Sequence, residues 1–523
     1  MSFLESNKKV FLILFSIYFL VNIPILLNFN GIYWDDWTLV GHSLETLNIT
    51  FFGAVGYSGY ATSYLHYFMI NELGIYSYRI FTFILLFLSG WFIFKILSTI
   101  SIFSSQDRFF ITILFLVAPL YSAKIALIDF PYTFYSFLFF LGFLILSSYI
   151  YRLNLFVRVM VLIIFFFSFF VNSLLVFYAV VLLYIFYKIY NTKLNFIQNS
   201  ILFVKTKIDF IILPILFFIV KSIWFVSSGA HGSDYNKISI FAMLNPFNYL
   251  QSFSYSFVEP IAISFTSKGF GILLVIIVFL MVLFRKKLNF SQNCEENPSY
   301  KLSLLFLGVI VFIFGAMPYI AVGKVPTSED WLSRFQLLLP LGFSLVLFYT
   351  LKLILKKEIF TNTIIICIIA FSFFHIKEQI MYNIDWFYQK GIIENFEENE
   401  EIKNNTTFII DNKIQDKFAK NRVFRFYEIN GMSKNIFFDD KRLFANSIKE
   451  IELYKQYKNY DEYNFKSWFY KEPKVLLIRD NNNFQKLGIR AKLQYFIKLK
   501  YFELFNEEKF KKLVKELVEI EVK

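Results

Sequence analysis

Between Asn30 and Tyr78 the chain contains no lysine and no arginine. The gap stands out because 52 basic residues against 39 acidic ones give the whole protein a net charge of +13. Cysteine is nearly absent too. Cys294 sits in a charged loop and Cys367 inside an apolar run, so no disulfide framework is expected. No Walker loop, HExxH, CxxC or GxSxG motif occurs, and those chemistries lose their usual sequence support. No internal repeat is evident.

What the chain has in quantity is apolar length. Of its 523 residues, 57% are hydrophobic and 72 are Phe, more than a soluble core would bury. Runs of about 18 or more apolar residues read as membrane helices, because roughly 20 residues cross ~30 Å of hydrocarbon. The expected class is a polytopic α-helical membrane protein with about 11 transmembrane helices. The candidate spans are 10–29, 79–100, 108–122, 131–151, 156–171, 174–188, 208–228, 270–284, 302–322, 336–351 and 361–381. The opening "MSFLESNKKVFLILFSIYFLVNIPILL" resembles a signal peptide, but no small-residue cleavage site follows its long apolar run, so it reads as a retained first helix. Residues 156–188 are too long for one crossing, and Asn172-Ser173 near their middle suggests two short helices that turn there.

Charge supports this layout. With Lys8 and Lys9 in the cytoplasm, the inner turns collect most of the Lys and Arg, including Arg285, Lys286 and Lys287. The outer loops hold only Lys124, Lys237, Lys268, Lys324 and Arg334. The positive charge therefore calls for no nucleic acid. Two outer loops, 30–78 and 229–269, are long, semi-apolar and rich in Tyr and Phe, which suits short helices lying in the membrane interface. The membrane domain is expected over 1–381 and a soluble α/β domain, on the outer side, over 382–523. In that tail "TTFIID" (406–411), "VFRFYEI" (423–429) and "KVLLIRD" (474–480) read as strands. "FKKLVKELVEI" (510–520) puts Phe510, Leu513, Val514 and Leu517 on one helical face.

The cation-free stretch contains "YWDDW", with Asp35 and Asp36 side by side between Trp34 and Trp37. One reading makes Asp36 a helix cap and the tryptophans interfacial anchors. A cap accounts for one aspartate and leaves the other. Other outer loops supply cations that could face the pair, Lys124 in "YSAKIALIDF" and Arg334 in "TSEDWLSRFQLLLP". The outer side also holds His42, His66, Glu72, Asp129, His231, Asp234, Glu329 and Asp330, while the apolar runs carry almost no charge. This distribution describes a reaction chamber at the outer membrane surface.

"YWDDW" after the first membrane helix resembles the first-loop acidic motif of C-type (GT-C fold) membrane glycosyltransferases, which use polyprenyl-phosphate sugars. "SRFQLLLP", Arg334 to Pro340, is similar to the start of a late helix in the same enzymes. Among bacterial members the likeness is to serotype-converting O-antigen glucosyltransferases. Those carry a Gly-Arg element in the first loop where this chain has Gly59-Tyr60. The resemblance implies transfer of a sugar from a polyprenyl-phosphate donor to a surface glycan or glycolipid, in the bacterial inner membrane. It assigns Asp35 as general base, with Asp36 orienting the acceptor or sharing a divalent metal (Mg or Mn) with Asp35. Arg334 and Lys124 would hold the donor phosphate, although Arg334 read alone could simply snorkel to the headgroups. Asp129 and His66 are candidate substrate-binding residues, His66 alternatively an interfacial polar group. His375 reads as packing. Sequons at 48–50 and 404–407 would matter only in a eukaryotic secretory route. Competing functions are a polysaccharide polymerase with a pyrophosphate-linked donor and a lipid or polysaccharide flippase.

Overall fold

A computed structural model describes residues 7–151, 154–226, 237–267, 269–271 and 298–523. Nearly all of the expected span 270–284, the basic run 285–287, His231, Asp234, Lys268 and Cys294 lie outside the described residues. The described chain is mostly helical, with one small sheet.

Among the described residues, six helices are long and apolar enough to cross a membrane: Asn7–Leu26, Tyr76–Ser98, Phe130–Tyr149, Asn172–Ile189, Ser299–Ile320 and Ile359–Glu398. A seventh arises if Asp330–Gln336 and Leu339–Ile354, bent by 74° at their junction, form one broken span. The remaining expected spans in the described chain are helical but less suited to crossing. Ser105–Val117 and Leu155–Ser168 have 13 and 14 residues, about 20 Å each, short of the hydrocarbon thickness. Phe196–Trp224 is kinked at Lys207 and carries Lys205, Lys207, Asp209 and Lys221 along its length. The turn expected within 156–188 is present: helix stops at Ser168 and resumes at Asn172.

Both long semi-apolar loops fold into short helices. In the first, Ser43 caps Leu44–Val55 by accepting the Thr46 N–H. Gly56, at φ 63, ends that helix. A Cβ there would lie 2.7 Å from the Trp224 carbonyl oxygen, so the close crossing of the two segments needs glycine. Ser58–Tyr67 follows. The second loop holds Ile240–Leu244, Pro246–Phe253 and Glu259–Thr266.

The tail differs from expectation at three places. The last membrane helix does not stop near 381 but continues unbroken to Glu398, because Tyr382, Trp386, Ile392 and Phe396 extend its apolar face into the tail's core. Residues 423–429 are not a strand: helix Phe426–Phe437 begins there, with Glu428 accepting the Arg425 N–H as an N-terminal cap. The segment 510–520 divides between helix Glu507–Lys515 and a strand, Val518–Val522. The expected strands at 406–411 and 474–480 do form.

The sheet has β1 Thr407–Asn412, β2 Leu443–Ala445, β3 Lys474–Asp480 and β4 Val518–Val522 in the order β2-β1-β3-β4. β1 is parallel to both neighbours, and β4 runs antiparallel to β3. A hydrophobic core separate from that of the membrane helices joins Trp34 and Trp37 of the first loop, Tyr382 and Trp386 of the long helix, and Phe408 and Leu476 of the sheet. The tail is thus packed directly on the cation-free loop.

Candidate functional site

Residues Trp34–Thr38 form a single turn of 3-10 helix. Asp36 is its third residue and is fully buried. One of its carboxylate oxygens accepts the Tyr33 N–H at 3.0 Å, the other the Ile128 N–H at 2.9 Å. It therefore reaches back over the start of this turn and ties it to the loop before Phe130; the expected cap of a helix beginning at Trp37 is not formed, because the turn already begins at Trp34. Burial pushes its carboxyl up to about 7, against the pull of those amides and of Arg79.

Asp35 points elsewhere. Its side chain keeps 30% of its surface exposed. One oxygen accepts a 2.6 Å hydrogen bond from the Tyr427 hydroxyl. The other lies 3.8 Å from the Arg334 guanidinium. That guanidinium is stacked 4.3 Å from the centre of the Trp331 ring, which holds its plane. Trp331 in turn packs on Trp34, whose indole N–H donates to Asp330 at 2.7 Å.

Three bulky or charged residues around this arrangement, Trp34, Tyr121 and Asp330, have φ of 50, 57 and 32 degrees. Left-handed backbone at such residues costs on the order of 1–3 kcal/mol each and gathers at working sites. The strain is held by surrounding bonds: the Trp34 N–H donates to Glu428, and the Tyr121 N–H to Gln336. Arg422, wholly buried, grips Asp385 through two nitrogens at 2.7 and 3.0 Å and Glu428 at 2.5 Å. This bridge fastens the tail helix that carries Tyr427 to the long helix beneath it.

Asp129 is 1% exposed, and neither of its oxygens has a hydrogen-bond partner among the described residues. Burial raises its carboxyl well above the ordinary range; Arg334 opposes the rise and the charges of Asp36 and Asp35 add to it. Asp129 is therefore an acid within the electrostatic reach of the pair, its neutral form favoured by burial. Lys324, whose ammonium lies 5.6 Å from the Phe335 ring, is a second cation beside Arg334. Burial and that neighbour lower it to about 8.

Two candidates belong to other surroundings. Lys124 is buried with Asn22, 3.4 Å from its ammonium, and under the charge of Glu378. Lys420 from the tail also pairs with Glu378, at 2.9 Å. Lys124 forms no ion pair with Asp35 or Asp36 among the described residues. His66 is fully buried, stacked on Phe51 and bonded through Nδ1 to the Tyr78 hydroxyl at 2.8 Å. Burial lowers it to about 3, so it is neutral packing between the first loop and the helix Tyr76–Ser98. His375, bonded to the Ala118 carbonyl at 2.6 Å, is also buried.

A metal shared by the two aspartates would draw on an Asp36 whose oxygens each already accept a backbone amide N–H. No group of three or more His, Cys, Asp or Glu side chains able to hold an ion occurs among the described residues.

The first loop and the tail also line a cleft of about 680 Å3. Its walls include Glu45, Thr50, Phe52 and Tyr60 from the loop and Asp461 and Glu462 from the tail, with no Lys or Arg. Glu462 connects it to the site: burial, with the Asp35 charge adding, pushes it up to about 7. Tyr427, Trp331 and Glu462 carry no signal in the sequence that singles them out, and Lys324 is marked there only as one of the few outer-loop cations. Compared with models of known families, with curated proteins and with solved structures, the chain matches none.

Proposed function

We propose that the protein is a membrane glycosyltransferase. It moves a sugar from a polyprenyl-phosphate donor to a cell-surface glycan or glycolipid on the outer face of a bacterial inner membrane, and it crosses that membrane about 11 times. The observation that carries the reading is the half-open carboxylate of Asp35 set between Tyr427 and a stacked arginine, at the seam of loop and tail.

A sugar hydroxyl attacks well only while a base removes its proton, and Asp35 is the one acid of the pair with oxygen exposed to receive it. As the acceptor oxygen bonds to the anomeric carbon, the bond from that carbon to the phosphate oxygen breaks. The lipid phosphate leaves with the electron pair. Arg334, planar and fixed on Trp331, matches that phosphate by two parallel N–H bonds, and Lys324 adds a second positive charge. In the resting chain Asp35 neutralises Arg334; an arriving phosphate competes for the guanidinium and frees the base. Lys124 takes no part in this version. The cleft, acidic and aromatic, suits a hydroxyl-rich acceptor and disfavours a second anion. No second phosphate-binding cluster of arginines favours the pyrophosphate-donor alternative among the described residues.

The test is transfer by the purified full chain in vesicles, supplied with polyprenyl-phosphate sugars and read as lipid phosphate released. Asp35→Asn keeps an oxygen for Tyr427 but cannot take a proton. Its turnover should fall by about 10²-fold or more with donor KM little changed. Turnover equal to the parent protein would remove Asp35 as the base.

A further inference from the structure

The tail helix Ile489–Phe505 has one face buried and one face bare. Leu493, Ile497, Tyr501 and Phe505, spaced four apart, are each more than half exposed, and Leu504 lies among them. Four such residues at that spacing make a stripe along one side of a helix about 25 Å long. Arg490 and Lys498 lie on the same exposed side; Lys492 packs inward over the Phe484 ring, and the helix's single acid, Glu503, also points inward.

The inward contacts fix where the stripe sits. Phe496 and Lys500 both touch Phe387, and Glu503 accepts the Trp386 indole N–H at 3.1 Å. Seven residues of rise, about 10 Å, therefore meet only two residues of the long helix Lys357–Glu398. The tail helix must cross that membrane helix and cannot run along it. Lys500 also lies 4.8 Å from the Phe29 ring, three residues past the end of the span Asn7–Leu26. The headgroup layer is about 5–8 Å deep on each side of the hydrocarbon. Phe29, about 4 Å past its span, puts the inner side of the tail helix at that depth.

We propose that Ile489–Phe505 is an in-plane membrane anchor, its apolar stripe seated at the headgroup–acyl boundary and its basic residues on anionic lipid headgroups. The tail is then held to the bilayer by its own amphipathic helix as well as by the long helix. This inference is independent of the proposed chemistry.

The test uses the full chain in vesicles of phosphatidylcholine with and without phosphatidylglycerol. Cys294 and Cys367 are replaced by Ala, and an environment-sensitive fluorophore is placed at Ile497→Cys or, separately, at Leu493→Cys. Ile448→Cys, exposed just after the edge strand β2, is the reference. Probes at 497 and 493 should emit to the blue of the 448 probe and be quenched by nitroxide on lipid chains but not by aqueous iodide. The blue shift should grow with phosphatidylglycerol and lose that growth when Arg490 and Lys498 are both changed to Gln. Iodide quenching equal to that at 448 would overturn the proposal. So would protection from both quenchers, which would mean a protein partner or second copy covers the stripe. Insensitivity to phosphatidylglycerol would overturn the headgroup part.

Discussion

Asp35 and Asp36 are neighbours in the chain with opposite surroundings, and each difference has a measurable consequence. Asp36, buried, is raised to about 7 while an unfolded aspartate titrates near 4. Between those values the unfolded chain has released its proton and the folded one has kept it. Stability therefore falls as pH rises from about 4 to about 7 and levels off above. Thermal unfolding in detergent should show that slope, and Asp36→Asn should flatten it while lowering stability overall, because an amide nitrogen cannot accept the second backbone N–H. Glu462, also raised to about 7, contributes in the same direction, so part of the slope should survive in the variant. Arg334→Lys keeps the charge but loses the planar fork and the stack on Trp331. Donor KM should rise several-fold with a smaller change in kcat; a normal donor KM would leave the phosphate role without support. The acid pair was legible because two carboxylates in a long cation-free stretch are a local anomaly. Tyr427 was not, since it is 392 positions away in the chain and reaches Asp35 only through the folded tail. Lys124 looked like a partner on charge alone, and burial beside Glu378 gives it another neighbour.

At the level of elements, six of the 11 expected spans coincide with helices long and apolar enough to cross a membrane, and the tail followed its local pattern only in part. The break in 156–188 could be read from crossing length. "VFRFYEI" alternates like a strand, yet Glu428 caps a helix and Arg422 locks that cap to Asp385, a tertiary bond that no local pattern reveals. The boundary near 381 was placed where hydropathy falls, but a helix needs only one apolar face to continue, and Tyr382, Trp386 and Phe396 supply it. Arg422→Ala would leave two buried carboxylates without their cation, a loss of about 3–5 kcal/mol for such a pair. The tail should then unfold or detach at lower temperature than the membrane part, visible as an earlier transition and as faster proteolysis within 405–523. An unchanged melting profile would show that the bridge does not hold the tail.

For the molecule as a whole, the tail and the first loop share one core, so they must lie on one side of the membrane whichever way the chain is inserted. Membrane-impermeant thiol labelling of Glu45→Cys and Ile448→Cys in intact cells should give the same answer for both. Labelling of both from outside is the outcome the proposed function requires. Labelling of both only after lysis would keep the fold and end the outer-face reaction, and opposite answers would break the shared core.

The helix Lys357–Glu398 runs without interruption from the lipid to the sheet, 42 residues or about 63 Å of rigid rod. Its rotational phase is therefore transmitted whole. One residue inserted above Ile380 would turn everything beyond it by about 100° and swing Tyr427 away from Asp35. Seven would nearly restore the angle yet lift the tail by about 10 Å. The alignment of the two halves is set by the number of peptide units between them, and a deletion or insertion there, unlike one in a surface loop, has no slack to absorb it.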